Sequence, residues 1–411
     1  MVYKVGSFSV ALLVVAAFAF SACQEISTPP VAFNEELSQT TVASKDGATL
    51  SAADDTYIVV LKDNAVSESV LDAQPTYNGR GQAMRNEVAK IVGKHGVGND
   101  ALDKMYSKAL KGFSARLNAK QVNDLKNDPA VAYVEKDQII TLGKPGGGGS
   151  TPPAQEIPWG ITRVGGSVNY TGTAVAWIID TGIDLDHPDL NVNAARGFNA
   201  FTSGRDAGAP DDGNGHGSHV AGTVAARNNS IGVVGVAAGA TVIPIKVLDT
   251  RGSGSNSGVI AGVDFVAANG KAGDVANMSL GGGVSVALDN AVLNAASKGI
   301  LFALAAGNES QNANNSSPGR INAPNVYTIS AMNNTDSWAS FSNFGNPPID
   351  YCAPGVSIKS TWKDGGYNTI SGTSMATPHV AGLLLVTGGN LRSGGTVKND
   401  PDGNPDTIAI R

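Results

Sequence analysis

From Trp159 onward, runs of apolar and β-branched residues alternate with stretches of helical spacing, and that alternation leaves few folds open. The strand-like runs are 173–179, 241–248, 275–280, 300–305 and 326–329, and helical stretches at 218–227, 258–268 and 286–298 lie between several of them. Strands that are apolar on both faces must be covered on both. This predicts an α/β domain, a mostly parallel sheet with helices on each side. In such sheets ligands bind beyond the carboxyl ends of the strands, so chemistry is sought there.

Ahead of this region the run GKPGGGGSTPP, residues 143–153, can hold neither helix nor strand and reads as a linker. Charge density changes across it: residues 24–150 carry 30 Asp, Glu, Lys and Arg, whereas the much longer 151–411 carries 33. The low charged fraction of 16% therefore belongs mainly to the C-terminal region. A formal charge of −6 offers no cationic surface to neutralise a phosphate backbone, and nucleic acid is not an expected partner.

The N-terminal unit predicts a small α+β domain over about 55–142. YIVVLK at 57–62 is β-rich, and Met84, Val88, Ile91 and Val92 mark a helix over 82–92. Residues 110–117 alternate as a strand, 119–127 read as a short helix, and a last strand begins at 131–134 and runs toward Leu142. His95 has no evident chemical partner and is expected at the surface. Further upstream, Lys4 precedes 11 unbroken apolar residues at 10–20, too short to span about 30 Å of hydrocarbon but suited to the core of an export signal over 1–23. Phe20-Ser21-Ala22-Cys23 resembles a bacterial lipobox, which would place a lipid anchor on Cys23. No other segment is long and apolar enough to span a membrane. Cys352, the only other cysteine, is expected as a buried core thiol without a disulfide.

Three polar residues stand at strand ends or turns. Asp180 closes AVAWIID and opens DTGID, His216 lies in DDGNGHGSHVAGT between two glycines, and Ser374 lies in SGTSMATPHVAG at the start of an apolar helix. Taken singly they read as a helix cap, a satisfied core histidine and an N-cap. In this chain order and with these surroundings they resemble the Asp, His and Ser of the subtilisin-like serine proteases, or subtilases, nearest to the proteinase K-like branch, over about 158–386. The resemblance implies Ser374 as nucleophile, His216 as general base and then acid, and Asp180 as the group that orients the imidazole. It also implies Asn308, at the end of ILFALAAGN, as the donor to the oxyanion.

A secreted, monomeric serine endopeptidase follows from the same resemblance, acting on protein and peptide substrates with no cofactor for catalysis. Ser279, Leu280 and Gly281 in NMSLGGG, with Gly252, Ser253 and Gly254 opposite, would clamp an extended peptide by β-pairing. Residues 281–283 with Ala305, Ala306 and Gly307 would leave a roomy first pocket free of carboxylates, hence broad specificity with an apolar or aromatic preference. Asn256, where the branch has an aromatic lid, suggests a more polar outer pocket. APNVYTI and Asp350 imply structural Ca²⁺ on the carbonyls of Pro324 and Val326 and one carboxylate. His216 and His219 form H-x-x-H, but no Glu completes a zincin motif, so His187, His219 and His379 are expected as scaffold. Met375 beside the nucleophile is expected to be oxidation-sensitive, and NDPDGNPD to be an acidic turn.

YIVVLK, LKGFSARL and AVAYVEKDQII resemble the family's inhibitor-type propeptide, an intramolecular chaperone that leaves its last strand in the cleft. The expected division is propeptide 24–142, linker 143–153 and peptidase 154–411, with autocleavage between Leu142 and Ala154. After the Ser374 helix the chain shows little apolar periodicity, where the family adds a helix and a strand, so how that edge of the core is closed is left open. The alternative reading is a catalytically silent secreted module that uses the cleft to hold peptides.

Overall fold

A computed structural model describes Met1 and residues 55–143 and 153–411. The export signal, Cys23 and most of the linker lie outside the described residues.

Residues 55–143 form a four-stranded antiparallel sheet in the order Leu102–Tyr106, Gly112–Arg116, Thr56–Leu61, Val131–Lys136. Its Leu102–Tyr106 strand was not expected, because Asp103 and Lys104 interrupt the apolar pattern. Along Thr56–Leu61 the side chains alternate, as strand geometry requires. Val59 and Leu61 enter the unit's own core with Met84, Val88 and Phe113 under the Tyr77–Val92 helix. Ile58 and Val60 point the other way and are buried among Val259, Ile260, Leu288 and Ala291 of the Asn256–Asn269 and Val286–Ala296 helices. A strand with two apolar faces needs a cover on each, and the second cover comes from the C-terminal region. His95 is half-buried in the surface turn Gly93–His95, its Nε2 2.7 Å from the buried Asp128 carboxylate.

Residues 153–411 are built on a nine-stranded sheet in the order Arg392–Thr396, Thr407–Ile410, Ile349–Pro354, Val326–Met332, Leu301–Ala305, Val275–Met278, Ala176–Asp180, Val242–Lys246, Phe198–Asn199. All neighbours run parallel except the first pair. Ala176 and Ile178 pack under the His216–Ala225 and Thr373–Thr387 helices, while Trp177 and Ile179 pack under the two helices that also receive the N-terminal unit. Ala176–Asp180 has Val242–Lys246 on one side and Val275–Met278 on the other, so the strand order reverses there and a crevice opens at the carboxyl ends.

The C-terminus closes the sheet edge that the sequence left open. Thr407–Ile410 joins Ile349–Pro354 and Arg392–Thr396 folds back on it, burying Val397 and Ile408 against Cys352. Four residues of TIAI and a Gly-rich partner are too short for periodicity to register. Between them NDPDGNPD makes the expected turn, Asp400 and Asp402 accepting backbone N–H groups from Asp402, Asn404 and Asp406. Cys352 is fully buried and free.

Candidate active site

The Ala176–Asp180 strand delivers Asp180 to the bottom of the crevice, where it is fully buried. Its Oδ1 lies 2.8 Å from His216 Nδ1 and accepts the Thr181 N–H at 2.7 Å, while Oδ2 has no partner among the described residues. A bare buried carboxylate oxygen is costly, and a proton on His216 is the nearest compensation. Burial works against a charged His216 ring, but the Asp180 carboxylate outweighs it, with Asp212 adding to the effect, so the pKa stands above the ordinary imidazole value.

His216 opens the His216–Ala225 helix. Gly215 before it has φ +111°, and a Cβ there would strike the Trp362 ring; a Cβ on Gly217 would meet the Gly182 carbonyl. The two glycines let the helix start against the Asp180 turn. Asp212, buried four residues earlier, welds this corner: Oδ1 accepts Thr181 Oγ1 at 2.8 Å and Gly215 N–H at 2.8 Å, and Oδ2 accepts Ser218 N–H at 2.9 Å and Oγ at 2.7 Å. Sequence reading passed over it, although an acidic residue just before a Gly-rich helix start is an N-terminal capping signal.

Ser374 is the second residue of the Thr373–Thr387 helix. Its hydroxyl donates to the Ser279 carbonyl at 3.0 Å rather than to His216, and Ser279 Oγ returns a bond to the Ser374 carbonyl at 2.8 Å. Asn308 is exposed beyond the Leu301–Ala305 strand, with its side-chain oxygen taken by Thr373 N–H at 2.8 Å and Thr373 Oγ1 at 3.1 Å. Fixing the oxygen inward leaves the amide N–H₂ as the end that can donate into the cleft.

His216, Ser374 and Asn308 share the lining of one cleft of about 780 Å³ with Leu280, Gly281, Ala306 and Gly307, and the cleft is also lined by Ile139, Leu142 and Gly143 of the N-terminal unit. The strand Ile139–Thr141 runs antiparallel to Ser253–Ser255, with Thr141 opposite Ser253 and Ile140 opposite Gly254, and Leu142 N–H donates to the Gly252 carbonyl at 2.9 Å. The Gly252, Ser253 and Gly254 side of the predicted clamp thus holds this chain's own segment in β-pairing. The Ser279–Gly281 side meets it through side chains, Ile140 lying over Gly282 and Gln138 Nε2 donating to the Val284 carbonyl at 3.0 Å.

Two pocket expectations need correction. Asn256 is buried at the start of its helix and does not line the cleft, because its backbone N–H is drawn to the Gln138 carbonyl at 2.9 Å. A carboxylate does stand on the cleft wall: Glu309, whose Oε2 accepts Asn343 Nδ2 at 2.8 Å. The remaining histidines bond to backbone carbonyls: His187 to Gly366, His219 to Ile358 and His379 to Met375, at 3.0, 2.9 and 2.9 Å. Burial pushes His219 down to about 3 and His379 to about 4, so both are neutral scaffold groups. Met375 is buried against the site.

For the implied Ca²⁺, Asp350 sits on the strand beside Val326–Met332, its Oδ2 accepting the Thr328 N–H at 2.8 Å. Burial raises its pKa to about 6. No cluster of three or more His, Cys, Asp or Glu able to hold a metal occurs among the described residues. The one carboxylate expected as a ligand is half-buried, and one of its two oxygens is held by a backbone N–H.

Comparison with known proteins places the geometry in context. Residues 171–390 match the model of the subtilase family, and residues 56–143 match that of peptidase inhibitor I9. The chain is 41% identical to the alkaline serine exoprotease A of Vibrio alginolyticus over 81% of its own length, spanning 60% of that protein. It is 39% identical to the extracellular serine proteinase of Thermus sp. (strain Rt41A), covering 89% of this chain and 86% of the relative. The crystal structure of a cold adapted subtilisin-like serine proteinase superposes with a TM-score of 0.51 at 39% identity, over 61% of this chain and 96% of the other. No helix among the described residues is long and apolar enough to cross a membrane.

Proposed function

Because the chain belongs to the subtilase family of serine endopeptidases and carries an I9-type inhibitor domain ahead of its peptidase domain, we propose that it is exported as a zymogen and cleaves peptide bonds through an acyl-enzyme on Ser374. The observation that carries this reading is the buried Asp180–His216 pair at 2.8 Å in a cleft shared by Ser374, Asn308 and the chain's own strand Ile139–Thr141. A rotation of the Ser374 side chain from the Ser279 carbonyl toward His216 Nε2 prepares the attack. The Ser374 Oγ–carbonyl carbon bond forms as the hydroxyl proton passes to Nε2, and Asp180 stabilises the imidazolium. Asn308 and the Ser374 backbone N–H receive the oxyanion at the helix N-terminus. The carbon–nitrogen bond then breaks as His216 returns the proton to the leaving amine, and water repeats the sequence to release the acid.

The maturation cut falls where Leu142 and Gly143 enter the cleft. Ala154 is an unsuitable first site, since it bridges Ile231 and Pro153 O holds the Gly232 N–H at 2.8 Å. Substrates replace Ile139–Thr141 along Ser253–Ser255 and fill a wall of Leu280, Ala305, Ala306 and glycines 281–283. That wall is apolar apart from Glu309, so apolar and aromatic side chains are preferred. Ca²⁺ on Pro324 O, Val326 O and Asp350 would brace the sheet near Thr328.

A fluorophosphonate probe tests the reading: matured protein should be labelled at Ser374, located by peptide mass. Unlabelled protein that still binds peptides would leave the silent peptide-holding module as the better description.

A further inference from the structure

The Asn256–Asn269 helix holds the N-terminal unit at a second place, away from the cleft. Asp264, fully buried, accepts the N–H groups of Ser107 at 3.1 Å, Lys108 at 2.7 Å and Ala109 at 2.6 Å, and the Tyr77 hydroxyl at 3.1 Å. Phe265, the next residue, stacks on Phe198 with centroids 4.9 Å apart and planes at 25°. The Tyr77 ring meets both edge-on, 5.1 Å from Phe265 at 80° and 6.3 Å from Phe198 at 88°. Tyrosine suits such a niche, its apolar ring on aromatic surface and its polar tip on an acceptor.

Tyr77 is presented rigidly. It is the first residue of the Tyr77–Val92 helix, whose N-cap Thr76 accepts the Gly79 N–H at 3.1 Å. None of Tyr77, Phe198, Asp264 and Phe265 lines the cleft. Asp264 lies nine helical steps beyond Ser255, about 14 Å at 1.5 Å per step.

We infer that the niche of Phe198, Phe265 and Asp264 is a docking site for Tyr77 that sets how long the cleaved propeptide stays on the enzyme. This rests on reading residues 55–143 as an inhibitory propeptide. Once the chain is cut, substrate competes with the Ile139–Thr141 strand for the cleft, whereas the tyrosine niche lines no part of that cleft. A propeptide displaced from the cleft remains tethered through Tyr77 and returns at high effective concentration, so the niche acts on release and not on chemistry.

The test follows the full chain over time, reading the cut on a denaturing gel and activity on a small chromogenic peptide. In the wild type, activity should lag behind the cut. Tyr77→Phe keeps the ring but removes the bond to Asp264, and should shorten the lag about tenfold. Tyr77→Ala loses the anchor and should shorten it about a hundredfold. The rate of the cut and the kcat/KM of matured enzyme should not change, since Tyr77 departs with the propeptide. If Tyr77→Ala fails to fold, Tyr77→Phe, with its packing intact, decides. Absence of a lag in a wild type that cuts itself, or equal lags in variants that cut normally, would overturn the inference and leave the endopeptidase reading standing. A wild type that never cuts itself would overturn that reading, and the inference with it.

Discussion

Residues 55–143 bury one face of their sheet in a core of their own and offer the other to a neighbour, whereas the large sheet of 153–411 buries both faces within its own region. The small sheet is antiparallel, and its central strand also pairs far along the chain, Tyr57 standing beside Ala115 and Lys136. The large one pairs strands distant in sequence, Ala176 standing beside both Val242 and Val275, and Cys352 beside Ile408. Non-local parallel pairing is slow to nucleate, because loop closure costs entropy before contacts repay it. The small unit adds to two of the large one's helix starts, which Ser255 and Ser285 already cap from within. Glu135 accepts Ser285 Oγ at 2.5 Å and Ala287 N–H at 3.1 Å, and Asp137 accepts Ser257 N–H at 3.0 Å. Each carboxylate caps a peptidase helix from outside, with its charge at the positive end of the helix dipole. The small unit thus adds charged acceptors to helix starts whose own caps are neutral serines.

The comparison breaks most sharply at the nucleophile. Ser374→Ala should leave the two regions covalently joined, with turnover on peptides down about six orders of magnitude, the loss known for the matching serine of a subtilisin. Gel mobility and initial rates read this directly, and near-normal rates would end the assignment. Asn308→Ala should lower kcat by about 10²–10³ with KM little altered, a range that also comes from a subtilisin oxyanion donor. A loss confined to KM would make Asn308 a binding residue instead.

pH offers a third lever. The base must be neutral to accept the Ser374 proton, and the pKa of His216 is raised, so kcat/KM should fall tenfold per unit as pH drops below a midpoint above 6.5. A midpoint below 6.5 would show that burial outweighs Asp180. Smaller effects belong to the interface. Asp137→Asn and Glu135→Gln should each weaken the hold of the small unit on the large one by about 1 kcal/mol. They cap different helices but repel each other, so a double variant should lose somewhat more than the sum of the two, measured as the rate of maturation. Chelation should have the least effect, lowering the melting midpoint of matured enzyme by about 2–4 °C for each 1 kcal/mol of ion binding lost, and an unchanged midpoint would argue against Ca²⁺ at Asp350.

Much of this architecture is legible along the chain. AWIID, VIPIK and LFALA announce buried parallel strands by composition alone, and Asp180, His216, Ser374 and Asn308 can be named because each lies in a run of distinctive neighbours. Leu102–Tyr106 and the C-terminal hairpin escape notice, since they are short and their stability comes from the strand beside them. Asp212 and Glu309 have no role legible along the chain, because what each does depends on a distant or looped-back partner, Ser218 for one and Asn343 for the other.

What the sequence determined by itself is therefore local: which segments are apolar, where a glycine lets a helix start, and which side chains can do acid–base or nucleophilic work. The tertiary structure alone decided that Ile58 and Val60 face another region's helices, that the Ser374 hydroxyl rests on the Ser279 carbonyl, and that Tyr77 lies against Phe198 and Phe265. Those are relations between residues far apart in the chain. They arise when two apolar faces exclude water together, an event to which both partners contribute and which neither segment records on its own.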